Sequence, residues 1–225
     1  MKQLVSKTLP NPGKPVSILD PAIPISDYCR IDLSTANWAL KRVDLTDPVA
    51  CEAYMDQLLA DNGATVAYGG YLEKRNLYAD KPAFTHGGNP RNIHLGVDFW
   101  AKAGTKVVAP LAGKVHSLRN NNTRGDYGPT VILQHEEEDA ILYSLYGHLS
   151  LETLENLNPG QALKAGEVIG SLGTADINVN YAPHLHFQLI WDIGSYQGDY
   201  PGVCSVDELD YYQNNCPDPC FLLGI

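Results

Sequence analysis

From residue 184 the chain alternates polar and apolar side chains: His184-Leu185-His186-Phe187-Gln188-Leu189. A period of two predicts a β-strand with His184, His186 and Gln188 on one face and Leu185, Phe187 and Leu189 turned into a core. Same-face neighbours on a strand stand about 6–7 Å apart at Cα, close enough for two imidazoles to serve one ion or one water. From Arg91 onward the texture is similar. Short apolar runs (IHLGVDFW, TKVVAPLAGKVHSL, PTVILQHE, AILYSLYGHL, EVIGSL, HLHFQLIW) alternate with Gly, Pro and Asn turns. With few helix signals among them, these runs predict an antiparallel sheet or barrel.

Upstream the pattern differs. Residues 1–26 are aperiodic and carry Pro at 10, 12, 15, 21 and 24, which reads as an extended arm or a disordered segment. Ile31-Asp32-Leu33 begins a short strand. A helix follows, with Asp47 as N-cap, Pro48 in the first turn and Asn62-Gly63 at its end. Its apolar stripe is Ala50, Ala53, Tyr54, Met55 and Leu58. TVAYGGY (65–71) predicts a strand interrupted by Gly-Gly. Residues 150–157 fit one helical turn or two, and after Trp191 the chain reads as loop to its end.

Composition supports a β-rich body: 20 Gly and 15 Pro in 225 residues, with 19 % charged, favour short elements and many turns. A formal charge of −10 and a pI near 5.0 argue against nucleic acid or an anionic membrane as partner. There is no membrane-spanning run and no apolar signal core before Pro10. The expected location is therefore cytoplasmic, or exported if a leader has been removed. Five cysteines (29, 51, 204, 216, 220) leave at least one unpaired within the chain. Cys216-Pro-Asp-Pro-Cys220 lacks the second pair of a structural zinc site, so free thiols are expected.

Seven histidines are present, and four sit in distinctive company. His94-Leu-Gly-Val-Asp98 would place its two polar groups about 13 Å apart on a straight strand. To share an ion they need a bend at Leu95-Gly96, which glycine permits. Alone, this spacing is a weak signal. Tyr146-Gly147-His148 ends an apolar run, where a histidine is equally a rim residue or a turn residue. Together, HxxxD, GH and HLH form an ordered set with gaps of about 50 and 36 residues. Two imidazoles and a carboxylate suit zinc with a fourth position open for water, leaving two further histidines to handle protons.

On these motifs, residues 91–190 resemble the lysostaphin-type, LytM-like zinc metallopeptidases that cut cell-wall peptide cross-bridges. Also matching are Gly104-Thr-Lys-Val-Val-Ala-Pro-Leu-Ala-Gly113, Tyr127-Gly128, Gly166-Glu-Val-Ile-Gly170 and Pro183-His-Leu-His-Phe187. The resemblance implies one Zn²⁺ held by His94, Asp98 and His186, with His148 and His184 as catalytic residues flanking the water it activates. It implies a mainly β, antiparallel sheet or barrel-sandwich domain over 81–203. Around it lie a Pro-rich arm (1–26), a small α+β extension (27–80) and a C-terminal tail (204–225). Through GGYLEKRNLY, YGPTVILQH, LYGHLS, PHLHFQ and GDYPGV, the segment from Tyr71 to Val203 further resembles a subgroup joined to kinase and class III aminotransferase domains, implying a functional link to such a system.

The implied activity is metalloendopeptidase-like hydrolysis of an amide, in a peptide (peptidoglycan peptide among them) or a small molecule. A non-catalytic ligand-binding or regulatory module on the same fold is the alternative, although degenerate members typically lose ligands and all five site positions are intact here. Two departures stand out. The loop Gly173–Pro183 is bulkier and more polar than the family's. The family's tyrosine just before HxxxD is missing at 86–90, leaving its role to Tyr78, to Tyr127, or to no residue. Gln188 either supports a ligand's second ring nitrogen or faces solvent. His86, His116 and His135 are expected to be structural or superficial.

Overall fold

A computed structural model describes residues 8–10, 13–78, 80–81, 84, 89–137 and 140–225. His86 and the arm residues 1–7, 11 and 12 lie outside the described residues. In chain order the elements are β1 (Tyr28–Arg30), α1 (Pro48–Asn62), β2 (Val66–Gly69), β3 (Ile93–His94), β4 (Val97–Trp100), β5 (Lys106–Val108) and β6 (Gly113–Asn121). There follow β7 (Gly128–Glu137), β8 (Ala140–Gly147), α2 (Leu151–Asn156), β9 (Ala162–Leu163), β10 (Val168–Ser171), β11 (His184–Ile190), β12 (Val203–Cys204), α3 (Leu209–Asn215) and α4 (Pro219–Leu223).

The protein is mainly β. Eight strands form an open sheet in the order β1-β2-β4-β11-β8-β7-β6-β9, with β5/β10 and β12/β3 as two-stranded ribbons. All pairs are antiparallel except β1 with β2. Of the expected sheet or barrel, it is the open sheet that forms, with β1 and β9 as its edges.

β11 runs between β4 and β8, and every residue in it is buried. As the alternation predicts, Leu185, Phe187 and Leu189 enter the main core with Val97, Phe99, Val131, Leu133 and Tyr146. Ile18 and Leu19 from the arm, Val107, Ile169 and Leu172 from around the β5/β10 ribbon, and Leu222 and Leu223 from α4 complete it. Burying each such side chain contributes about 1.5–3 kcal/mol, which anchors β11 and fixes which side carries His184, His186 and Gln188.

Three local expectations change. The first strand is Tyr28–Arg30, not Ile31–Leu33. Ile31, whose amide still donates to Tyr68 O of β2 at 2.9 Å, and Leu33 instead bury in a second core with Cys51 and Met55. Helix α1 has the predicted caps: Asp47 accepts from the Ala50 amide (2.8 Å) and Gly63 closes it at φ 59°. Its buried residues, however, are Cys51 and Met55, whereas Ala53 is exposed. The C-terminal stretch is not loop, since β12, α3 and α4 are all ordered there. Helices of seven and five residues are too short to show a period, so only their docking stabilises them. The described part of the arm binds the body through Val108 N–H to Ile18 O and Val16 N–H to Leu223 O, each 2.9 Å. All five thiols are free.

Candidate metal centre

The bend expected at Leu95-Gly96 is a change of sheet. His94 pairs with Val203 of β12, while Asp98, three residues past the turn-off, stands opposite His186 of β11. A Cβ on Gly96 would come within 2.9 Å of the His186 ring and 2.6 Å of the Phe187 carbonyl, so the crossing needs glycine.

Three donor atoms converge as a result. His94 Nε2 lies 2.8 Å from His186 Nδ1, and Asp98 Oδ1 lies 3.2 Å from each. All three residues are buried. The outer ring nitrogens are already committed. His94 Nδ1 donates to Gly70 O at 2.9 Å, and His186 Nε2 donates to Gln188 Oε1 at 2.9 Å. The Gln188 amide cannot be turned round, because its nitrogen donates to Pro201 O at 3.1 Å. Both inner nitrogens of the neutral rings therefore carry lone pairs, aimed at each other and at a carboxylate.

A cation placed between these donors would relieve their mutual repulsion. Tetrahedral zinc with bonds of about 2.0–2.1 Å spaces its donors about 3.3–3.4 Å apart, close to what stands here, so the residues fit the metal. Gln188 is fully buried, and its role is support of a ring nitrogen, not contact with solvent.

Electrostatics agree. Burial raises the Asp98 carboxyl, but His94 and Arg75 outweigh it and hold the group well below its ordinary range. Burial and the Arg75 charge push His94 down to about 4. Arg75, fully buried, donates through Nη1 to Asp98 Oδ2 and through Nε to Glu73 Oε2.

His184 and His148 sit beside this cluster. Trp100 stacks on His184 with ring centroids 4.2 Å apart, and the His148 ring lies tilted against the His184 ring at 4.1 Å. His184 Nδ1 donates to Ala182 O (2.8 Å), which leaves Nε2 as the ring's base. Burial pushes His184 down to about 4. Burial, His184 and His186 hold His148 well below its ordinary value, and its Nδ1 is buried without a hydrogen bond. Its backbone is left-handed (φ 66°), held by an N–H to Tyr127 O (2.8 Å) and a carbonyl receiving Gly173 N–H (3.0 Å). Strain of that kind in a non-glycine residue persists where the surroundings impose it and concentrates at functional sites.

All five predicted residues line one cavity of about 300 Å³. Tyr78, Tyr127, Tyr181 and Tyr200 supply aromatic wall, and Asp126 and Asp199 supply acid. Tyr181, from the bulky 173–183 loop, donates to Gly125 O (3.0 Å) and ties that loop across the rim. None of the described arm residues lines the cavity. His135 is buried elsewhere on Ala112 O and Ser144, and half-buried His116 bonds Ser117; neither touches the site. Sequence reasoning did not single out Arg75 or Glu73, and it read Gly70 only as part of the Gly-Gly interruption. Within LEKRNLY the charges look like a solvated run; Lys74 is indeed exposed, while the fold buries Arg75 and half-buries Glu73.

Residues 92–197 match Peptidase family M23. Lysostaphin of Staphylococcus staphylolyticus is 36 % identical over 111 residues, 49 % of this chain and 20 % of that protein. Glycyl-glycine endopeptidase ALE-1 of Staphylococcus capitis is also 36 % identical over 111 residues, covering 49 % of this chain and 27 % of its own length. The chain thus spans about a fifth to a quarter of these curated relatives. Among solved structures, the catalytic domain of the antimicrobial peptidase lysostaphin from Staphylococcus simulans is 30 % identical with a TM-score of 0.39, covering 54 % of this chain and 80 % of that one.

Proposed function

We propose that this chain, whose residues 92–197 form a domain of peptidase family M23, hydrolyses peptide amide bonds with one zinc ion held by His94, Asp98 and His186. The observation that carries the reading is the pair of ring nitrogens facing each other at 2.8 Å with both ring protons committed outward. When bound, zinc supplies Lewis acidity, making water nucleophilic near neutral pH and polarising a carbonyl oxygen.

The protein's own groups do the rest. His184, neutral above about pH 4, accepts a proton at Nε2 while Ala182 O holds its Nδ1–H. His148, its ring tilted against that of His184 at 4.1 Å, shares that proton traffic or donates to the leaving amine. We assign the oxyanion donor to Tyr78, because Tyr127 spends its hydroxyl on Tyr200 O at 2.9 Å. The aromatic walls and the tied loop keep bulk water from the reacting amide.

The similarity to a glycyl-glycine endopeptidase makes oligoglycine the first substrate to try. A cavity of about 300 Å³ is at the small end for ligand sites, which favours a short peptide or small amide as the second. With zinc present, wild-type protein is expected to release new amines from oligoglycine or short peptides. His184→Ala and His148→Ala are expected to keep zinc yet lose about 10²–10⁴-fold in rate. Zinc uptake without turnover on a broad panel would favour the non-catalytic module. No zinc uptake would refute the metal reading.

A further inference from the structure

Arg75 lies outside the 92–197 family segment, between β2 and β3, and is fully buried. An arginine fork meeting a carboxylate normally takes both oxygens of one partner. Here the fork is divided. Nη1 takes Asp98 Oδ2, Nε takes Glu73 Oε2, and Nη2 reaches Gly69 O at 3.4 Å. Glu73 is itself fixed, since its Oε1 accepts the Leu33 amide at 3.0 Å.

We propose that Arg75 is the positioning residue of the metal centre, occupying one oxygen of Asp98 so that only the other faces the two histidine nitrogens. The proposal rests on the metallopeptidase reading above. Its second support is Gly70, at φ 105°. The Gly70 carbonyl receives His94 Nδ1–H, and a Cβ there would collide with Arg75 Nη2 and come within 3.1 Å of His94 Nδ1. One glycine turn therefore seats both the guanidinium and a ligand ring. The buried charges also count: two carboxylates against one guanidinium leave the cluster with one net negative charge, complementary to a cation and costly without one. The residues that aim two of the three donors thus belong to the extension, and the functional unit begins before residue 92.

The test uses the full chain, with zinc affinity measured by competition against a chromogenic chelator and folding by urea melts. Arg75→Met is expected to weaken zinc binding about 10–100-fold, the usual effect of removing a partner behind a ligand. Arg75→Lys, which keeps the charge but not the fork, is expected to fall between that variant and wild type. A folded Arg75→Met that binds zinc within about twofold of wild type overturns the proposal. If Arg75→Met does not fold, Arg75→Lys decides: weaker zinc with an intact melt supports positioning, and unchanged affinity overturns it. Wild-type protein that takes up no zinc overturns the metal reading and this proposal with it. Wild-type uptake with an indifferent Arg75→Met overturns this proposal alone.

Discussion

Replacing Gln188 by leucine removes one acceptor and one donor from a fully buried position while nearly conserving volume. The His186 Nε2–H loses its partner at 2.9 Å, and Pro201 O loses a donor at 3.1 Å. Each stranded group costs about 1–3 kcal/mol, and the added apolar burial returns about 1–2 kcal/mol. A net loss of about 0–5 kcal/mol is expected in urea melts of the metal-free protein. The larger consequence is chemical. Nothing then holds the ring proton on Nε2, so it can move to Nδ1, the atom that faces His94 and Asp98. Zinc affinity should fall about 10–100-fold, equal to about 1.4–2.8 kcal/mol. Competition titration measures that loss, and ¹⁵N imidazole spectra of metal-free protein report the tautomer directly. A folded Gln188→Leu protein with unchanged zinc affinity and the proton still on Nε2 would refute the reasoning.

Acid should weaken the metal-free protein. Burial holds folded His94 and His184 near 4, against about 6.5 when unfolded, so the unfolded chain binds more protons between those values. Stability is present above about pH 6.5 and falls as the pH drops towards 4, by up to about 3 kcal/mol per histidine; urea melts at pH 7 and pH 5 that coincide would contradict this. Gly96→Ala places a Cβ 2.6 Å from the Phe187 carbonyl and 2.9 Å from the His186 ring, so both melting temperature and zinc affinity should drop, which calorimetry and chelator competition check together. Asp47→Ala removes the cap on α1 and should cost about 1 kcal/mol in urea melts without touching zinc affinity, because that helix end is remote from the cavity.

Local physics made part of this protein legible in one dimension. Asp47, Pro48 and Gly63 bound α1 because caps act within a turn of the helix they close. The alternation of 184–189 determined which side chains of β11 enter the core and which face the site, because a strand's period is two whatever its partners. Even α4 had its signals in Asp218, Pro219 and Gly224, although five residues were too few to outweigh the loop-like texture around them.

The tertiary structure decided the rest. Ala53, expected in the α1 stripe, is exposed while Cys51 is buried, because the β2 side of the fold chooses the face. His94 and Asp98 meet only because β12 captures one strand and β11 the other, a choice between partners more than eighty residues away. Gln188 was open between solvent and support until Pro201 O fixed its amide. Arg75 carried no local signal of burial. A guanidinium in a charged run belongs in water unless the fold supplies two carboxylates to hold it, and those come from Glu73 and Asp98.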